Sequence, residues 1–249
     1  ALYKMHPGPV SGPAGAAKGG EKAMIQVLRK EKKYILPRKN AMELERQLSG
    51  IMALDQNGVE GRYFIRSQYF DSLYDRDLTD NLAGVWKKSK LRLRVYSLDA
   101  EKAKLEWKRK WGADSLKSSL TVTREQALAM ERGDASFLLN LDSDLAREVY
   151  FRFTEGNYRP KTIVEYWRKA LLYPAGDVRI TFDTDIRGSV CPWGLFEPLG
   201  TFPITTTEYV LMEVKYSELI PQLLVDVLRE ADSLQTSNSK YFQARLLNL

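Results

Sequence analysis

Charge falls on every second residue in four separate stretches of this chain, with apolar residues between: Leu91-Arg92-Leu93-Arg94-Val95, Leu105-Glu106-Trp107-Lys108, Val178-Arg179-Ile180-Thr181-Phe182-Asp183 and Met212-Glu213-Val214-Lys215-Tyr216. A period of two is that of a β-strand, whose side chains alternate between its faces, so each stretch predicts a strand with one apolar and one charged face. In an ordinary half-buried sheet the charged face looks into bulk water. Here, however, the charged faces are arginine and lysine with single glutamates, and no run of Thr, Ser or Gln dilutes them. Gathered around one cavity, such faces make a site for a highly charged anion.

The rest of the chain supplies the other walls. A strand-like segment over 25–36 ends at Pro37, and a helix pattern follows through Ala41, Leu44, Leu48, Ile51 and Met52. Further strands are predicted at 63–70, 88–97, 103–111, 117–123, 161–173, 178–188 and 208–216. The turn Pro174-Ala175-Gly176-Asp177 makes a hairpin of two of them. Helical sequence occupies 71–82 (or an acidic turn), 124–132 and 142–154. An amphipathic helix carries Leu219, Ile220, Leu223, Leu224, Val227, Leu228 and Ala231 on one expected buried face, and a last helix begins near Asn238. Residues 189–206 read as Gly- and Pro-punctuated loop. The expected class is α+β, an antiparallel eight-stranded barrel with helices packed outside, since eight strands can close around a bore that holds side chains and one ligand.

Composition narrows the chemistry. At 249 residues the chain can bury a full core as one domain. The first 23 residues are rich in Gly, Ala and Pro and read as a flexible leader or added tail, with Met24 a candidate native start and 24–249 the folded domain. The net charge is +6, a mild basicity that favours an anionic partner without calling for nucleic acid. The single histidine, His6, lies in the leader, so imidazole bases, histidine triads and His-ligated zinc are excluded from the folded body. The single cysteine, Cys191, cannot form an intrachain disulfide and is expected as a buried small hydrophobe, which with the lack of a signal peptide or apolar span points to the cytoplasm.

Within the charged faces, Arg29, Glu31 and Lys33 share one side of the first strand. Arg92 and Arg94 present two guanidiniums suited to phosphate oxygens. Glu106, Lys108 and Lys110 repeat the pattern, as do Arg168, Arg179, and Glu213 with Lys215. The glutamates have two roles open to them, pairing with neighbouring cations or holding a divalent metal, because Mg²⁺ or Mn²⁺ at a phosphate site needs only one or two protein carboxylates. Glu213 is taken as a metal ligand. Glu31 and Glu106 are taken first as pairing and positioning groups and stay open as further ligands, and Asp183 and Asp185 share the parity of Arg179. There is no GxxxxGK[ST] loop, so phosphate binding would rely on side chains. Tyr34, Tyr69, Tyr166, Tyr209 and Tyr216 are read as wall or core.

The ordered set RKEKKY (29–34), YFDS (69–72), LRLRVY (91–96), KLEWKRK (104–110), RPKTIVEYWRKAL (159–171), VRITFDTDIR (178–187), LMEVKYS (211–217) and SKYFQAR (239–245) resembles the bacterial VTC-domain proteins. These belong to the triphosphate tunnel, or CYTH-like, superfamily together with the catalytic domain of the vacuolar transporter chaperone polyphosphate polymerase. The resemblance implies a tunnel that binds ATP and inorganic polyphosphate or triphosphate with Mn²⁺ or Mg²⁺. It further implies phosphate contacts from Lys33, Arg92, Arg94, Lys108, Arg168, Arg179 and Lys240, with Glu213 on the metal. Arg29, Lys110 and Lys215 are further candidate phosphate ligands. Where the hydrolytic branch resembles Glu-x-Glu-x-Lys, this chain has Arg29, Glu31 and Lys33, which favours a polymerase that moves the γ-phosphoryl of ATP onto a growing chain. A triphosphatase and a non-catalytic polyphosphate-binding module are the alternatives.

Overall fold

The computed structural model describes residues 30–112, 114–237 and 239–246. Arg29, the leader and Asn238 therefore lie outside the described residues. In chain order the elements are β1 (Lys30–Pro37), α1 (Arg38–Ser49), β2 (Ala53–Leu54), β3 (Arg62–Asp71), α2 (Arg76–Leu82), β4 (Lys87–Val95), β5 (Lys102–Trp111), β6 (Asp114–Thr123), α3 (Arg124–Glu131), α4 (Asp144–Glu155), β7 (Arg159–Tyr173), β8 (Val178–Ser189), β9 (Phe202–Pro203), β10 (Tyr209–Tyr216), α5 (Gln222–Glu230), β11 (Leu234–Gln235) and α6 (Lys240–Leu246).

All strand pairs are antiparallel and join one 11-stranded sheet in the order β11-β1-β10-β8-β7-β3-β4-β5-β6, with β2 on β7 and β9 on β8. This corrects the expected closed eight-stranded barrel. The eight long strands are those expected from the sequence, four of them from the alternation of charge; the three others are two residues each, too short to leave a period. Among the described residues β6 pairs only with β5 and β11 only with β1, so the ladder stays open.

The sheet nevertheless curls. Five strands separate β1 from β5, which at the usual spacing puts them about 29 Å apart in a flat sheet. Yet Lys108 Nζ on β5 lies 3.2 Å from Glu31 Oε2 on β1, which only a strongly curved sheet allows. The charged parity faces the concave side and the apolar parity the convex side. Leu91, Leu93, Val95, Ala103 and Leu105 are buried with Val149 and Phe153 of α4 and Ala127 and Met130 of α3. Leu36, Val210, Met212, Val214, Ile180 and Phe182 pack with Ala41, Leu44 and Leu48 of α1 and Leu224 of α5.

Several local expectations change. The α1 helix ends at Ser49, and Ile51 and Met52 follow it in a turn in which Met52 N–H donates to the Leu48 carbonyl at 2.8 Å. Pro221 starts α5 at Gln222, so Leu219 precedes the helix and is 77% exposed; Leu223 is also exposed and Leu224 is the fully buried member of the face. Cys191 is exposed in the loop after β8 rather than buried. Nor do all helices lie outside. The last helix, α6, sits on the concave side, where Tyr241 and Ala244 pack against Ile65, Tyr69, Val164, Tyr166, Ile186 and Leu211. Those concave positions are apolar or aromatic at one end of the sheet, which is why a helix rather than solvent covers them.

Candidate functional site

Adjacent strands place the concave side chains in register. Lys33 is paired with Glu213, Glu213 with Thr181, Arg168 with Asp183, Tyr69 with Arg92, Arg92 with Glu106, and Lys108 with both Lys90 and Lys117. A bulge between Glu165 and Trp167, opposite Asp185 in a left-handed conformation (φ 49°), resets the parity of β8. Asp183 and Ile186 thus both face inward. Asp185 turns out and pairs with Arg187 at 3.6 Å.

Two carboxylates organise the deepest part. Asp183, fully buried, accepts from Arg168 Nε at 2.6 Å and Nη2 at 2.7 Å, and from Lys240 Nζ at 2.5 Å. Glu213 has Lys215 at 3.2 Å, Lys240 at 3.3 Å, Arg168 at 3.4 Å and Lys33 at 3.9 Å. Burial by itself raises a carboxyl pKa, but these cations outweigh it, and both carboxyls are held below their ordinary range. The same partners, together with Tyr166, hold Lys240 above the ordinary lysine range despite its burial.

Glu31 bridges the curl, with Lys108 at 3.2 Å, Lys33 at 3.5 Å and Lys215 at 3.9 Å. Burial pushes its carboxyl up, but Lys215 and Lys108 prevail and bring it from 4.5 to about 2. Glu106 forms a separate clasp: Arg92 donates through Nε at 2.7 Å, Arg94 Nε lies 3.7 Å away, and Lys117 completes it. Arg92 also donates to the Tyr69 hydroxyl at 2.9 Å, and Arg94 to Ser67 at 3.1 Å and the Tyr166 hydroxyl at 3.3 Å. Tyr69 and Tyr166 are therefore wall residues that also orient the arginines.

Of the predicted set, the structure brings Lys33, Lys108, Arg168, Lys215, Lys240, Glu31 and Glu213 into one connected cluster, with Arg92, Arg94 and Glu106 on the facing wall. Arg179 stands at the β2 side, fixed by Asp55 at 2.6 Å and the Tyr63 hydroxyl at 2.9 Å. Lys110 is exposed at the far end of β5, and Arg29 lies outside the described residues. Sequence reasoning missed Lys90 and Lys117. Both were legible in principle, Lys90 from its parity with Arg92, Lys117 only from the cross-strand register that sets it beside Lys108.

Among the described residues no group of three or more His, Cys, Asp or Glu side chains forms a metal cage. The donors do fit a divalent ion completed by phosphate oxygens. Glu213 and Glu31 are diagonal neighbours across the β1–β10 ladder and share Lys33 and Lys215, and beside Glu213 the buried Thr181 hydroxyl has no hydrogen-bond partner among the described residues. Glu106, clasped on the other wall, is not part of that group.

A curled antiparallel sheet whose concave face is crowded with cations, with α6 seated inside it, agrees with the fold that the resemblance to the triphosphate tunnel, or CYTH-like, class implies. Within that class the chain belongs to the VTC domain family, whose model matches residues 28–248. A search of curated proteins returned no match. Among solved structures, the chain is similar to one from Bacillus halodurans titled as a candidate adenylate cyclase. That likeness has a TM-score of 0.51 and 14% identity, over 85% of this chain and 96% of that one. A Pyrococcus horikoshii protein gives a TM-score of 0.45 at 14% identity, over 88% and 99%. The Mimivirus capping enzyme triphosphatase gives 0.38 at 10%, over 80% and 87%.

Proposed function

We propose that this protein is a metal-dependent polyphosphate polymerase that transfers the γ-phosphoryl of ATP to the end of a condensed-phosphate chain held on the concave face. The observation that carries this reading is the state of the carboxylates. Every carboxylate at the centre of the site is clasped by cations, and Glu31 has its pKa drawn down to about 2. A carboxylate so depressed is a poor general base for activating water. Transfer to a phosphate acceptor asks for no such base, since the acceptor oxygen is already anionic. It asks for positioning and charge neutralisation.

Arg92 and Arg94, oriented by Tyr69, Tyr166 and Ser67, hold and polarise phosphate oxygens from one wall. Lys33, Lys215, Lys240 and Arg168 neutralise the transferred group and the acceptor from the other, Lys108 reaches across from β5 toward Glu31, and Arg179 and Lys110 extend the track toward its two ends. Glu213, with Glu31 beside it, would hold Mn²⁺ or Mg²⁺, which supplies further neutralisation of phosphate charge. Use of ATP places the protein in the cytoplasm. Among the described residues no helix is long and apolar enough to cross a membrane.

Incubation with ATP and Mn²⁺ followed by electrophoresis of the products tests the assignment. A ladder of long phosphate chains is expected. Release of orthophosphate alone would replace the polymerase with a triphosphatase, and untouched ATP with bound tripolyphosphate would leave a binding module.

A further inference from the structure

Lys90 differs from five other lysines of the concave face. Lys33, Lys108, Lys117, Lys215 and Lys240 each have a carboxylate within 4.0 Å. Among the described residues Lys90 has none. Its ammonium donates instead to a neutral oxygen, Ser239 Oγ, at 2.7 Å. The same hydroxyl accepts from Phe242 N–H at 3.4 Å in the first turn of α6. The charged groups that act most strongly on Lys90 are cationic, Lys33 on β1, Lys108 on β5, and Arg92 and Lys88 on its own strand; the carboxylates of the neighbouring strands are engaged elsewhere, Glu31 by Lys33 and Lys108 and Glu106 by Arg92 and Lys117. Its side chain is half-buried, so water relieves this crowding only in part.

We propose that Lys90, with Lys33 and Lys108 beside it, forms an additional anion subsite that takes up a proton as a condensed phosphate enters. The inference rests on the phosphate-binding reading above and goes beyond it by naming a residue and a linkage. A lysine without a counter-ion, set among like charges, is better neutral while the face is empty; a terminal phosphoryl group reverses that balance, because it supplies the missing negative charge. Burial and the neighbouring cations bring Lys90 down to about 7, so the uptake falls in an accessible pH range. The proton comes from solvent and is returned when the ligand leaves, and no covalent bond changes.

Calorimetric titration of the intact chain with tripolyphosphate at pH 8, in two buffers of different ionisation enthalpy, reads the protons exchanged. The wild-type chain should take up close to one more proton per tripolyphosphate than Lys90→Arg, whose guanidinium is charged throughout. Lys90→Met should lose the uptake and bind about tenfold or more weakly. Equal proton exchange in wild type and Lys90→Arg overturns the subsite while leaving the phosphate reading in place. A wild-type chain that binds no tripolyphosphate overturns both.

Discussion

At the scale of single residues, position in the cluster decides whether a side chain serves the fold or the ligand. Arg168 and Asp183 are both buried and doubly hydrogen-bonded. Removing the arginine strands a carboxylate with only Lys240 to compensate it, so Arg168→Met should cost stability by about 3–5 kcal/mol in urea denaturation. Arg92 is less buried than Arg168, with side-chain exposures of 22% and 8%, and its substitution should act more on binding than on stability. Arg92→Ala is expected to weaken tripolyphosphate affinity by about 1.5–3 kcal/mol with the urea midpoint little changed. Wild-type affinity in that variant would show that the arginine does not meet phosphate. Glu213→Gln keeps the shape and removes the charge. If Glu213 ligates the metal, turnover should need far more Mn²⁺ while tripolyphosphate still binds; an unchanged metal requirement would reduce Glu213 to a counter-charge. Glu31, drawn from 4.5 to about 2, contributes stability that is fully present above 4.5 and lost as pH falls through 2. Glu31→Gln should therefore flatten the dependence of the urea midpoint on pH between about 5 and 2. An identical slope in both proteins would contradict the assigned pairing.

At the scale of elements, the informative one is α6. It is seven residues long, too short to hold its shape by propensity. Its place is set by three attachments. Lys240 enters the Asp183–Glu213 cluster, Tyr241 donates to Asp71 Oδ2 at 2.6 Å, and Arg245 donates to both oxygens of Asp75 at 2.9 Å. Asp71 itself accepts from the Ser72, Asp77 and Leu78 N–H groups, which ties the start of α2 to the same point. Tyr241→Phe keeps the ring against Tyr69, with centroids 5.0 Å apart, and removes the two hydrogen bonds of the hydroxyl, the one donated to Asp71 and the one accepted from Arg245 Nη1 at 3.3 Å. Its expected cost is about 1.5–3 kcal/mol, read by urea denaturation, with faster amide exchange across α6. Exchange unchanged in α6 would mean that packing alone seats it.

At the scale of the molecule, one curved surface carries a surplus of positive charge held on the inside of a sheet. Such an arrangement repels itself, so a polyanion that neutralises it should raise the melting temperature, by mass action, about 2.7 kcal/mol at a hundredfold excess over Kd. Chloride at equal ionic strength should do much less; an equal effect would reduce the site to general screening. Much of this was written in the alternation. Because strand side chains point to opposite faces whatever the strand's neighbours, Leu91, Leu93 and Val95 had to share a face that excludes Arg92 and Arg94, and the eight long strands and the charged parity follow from local sequence. What no local pattern holds is which distant groups meet. Closure failed as an expectation because ladder pairing at the two edges depends on sheet curvature and on strands of two residues. Lys108 reaching Glu31, Lys240 reaching Asp183, and α6 lying inside the curl depend on register, bulges and the direction of a chain returning over long loops. Those are properties of the assembled sheet, so the sequence alone determined the chemistry of the site, and the tertiary structure alone decided its pairings.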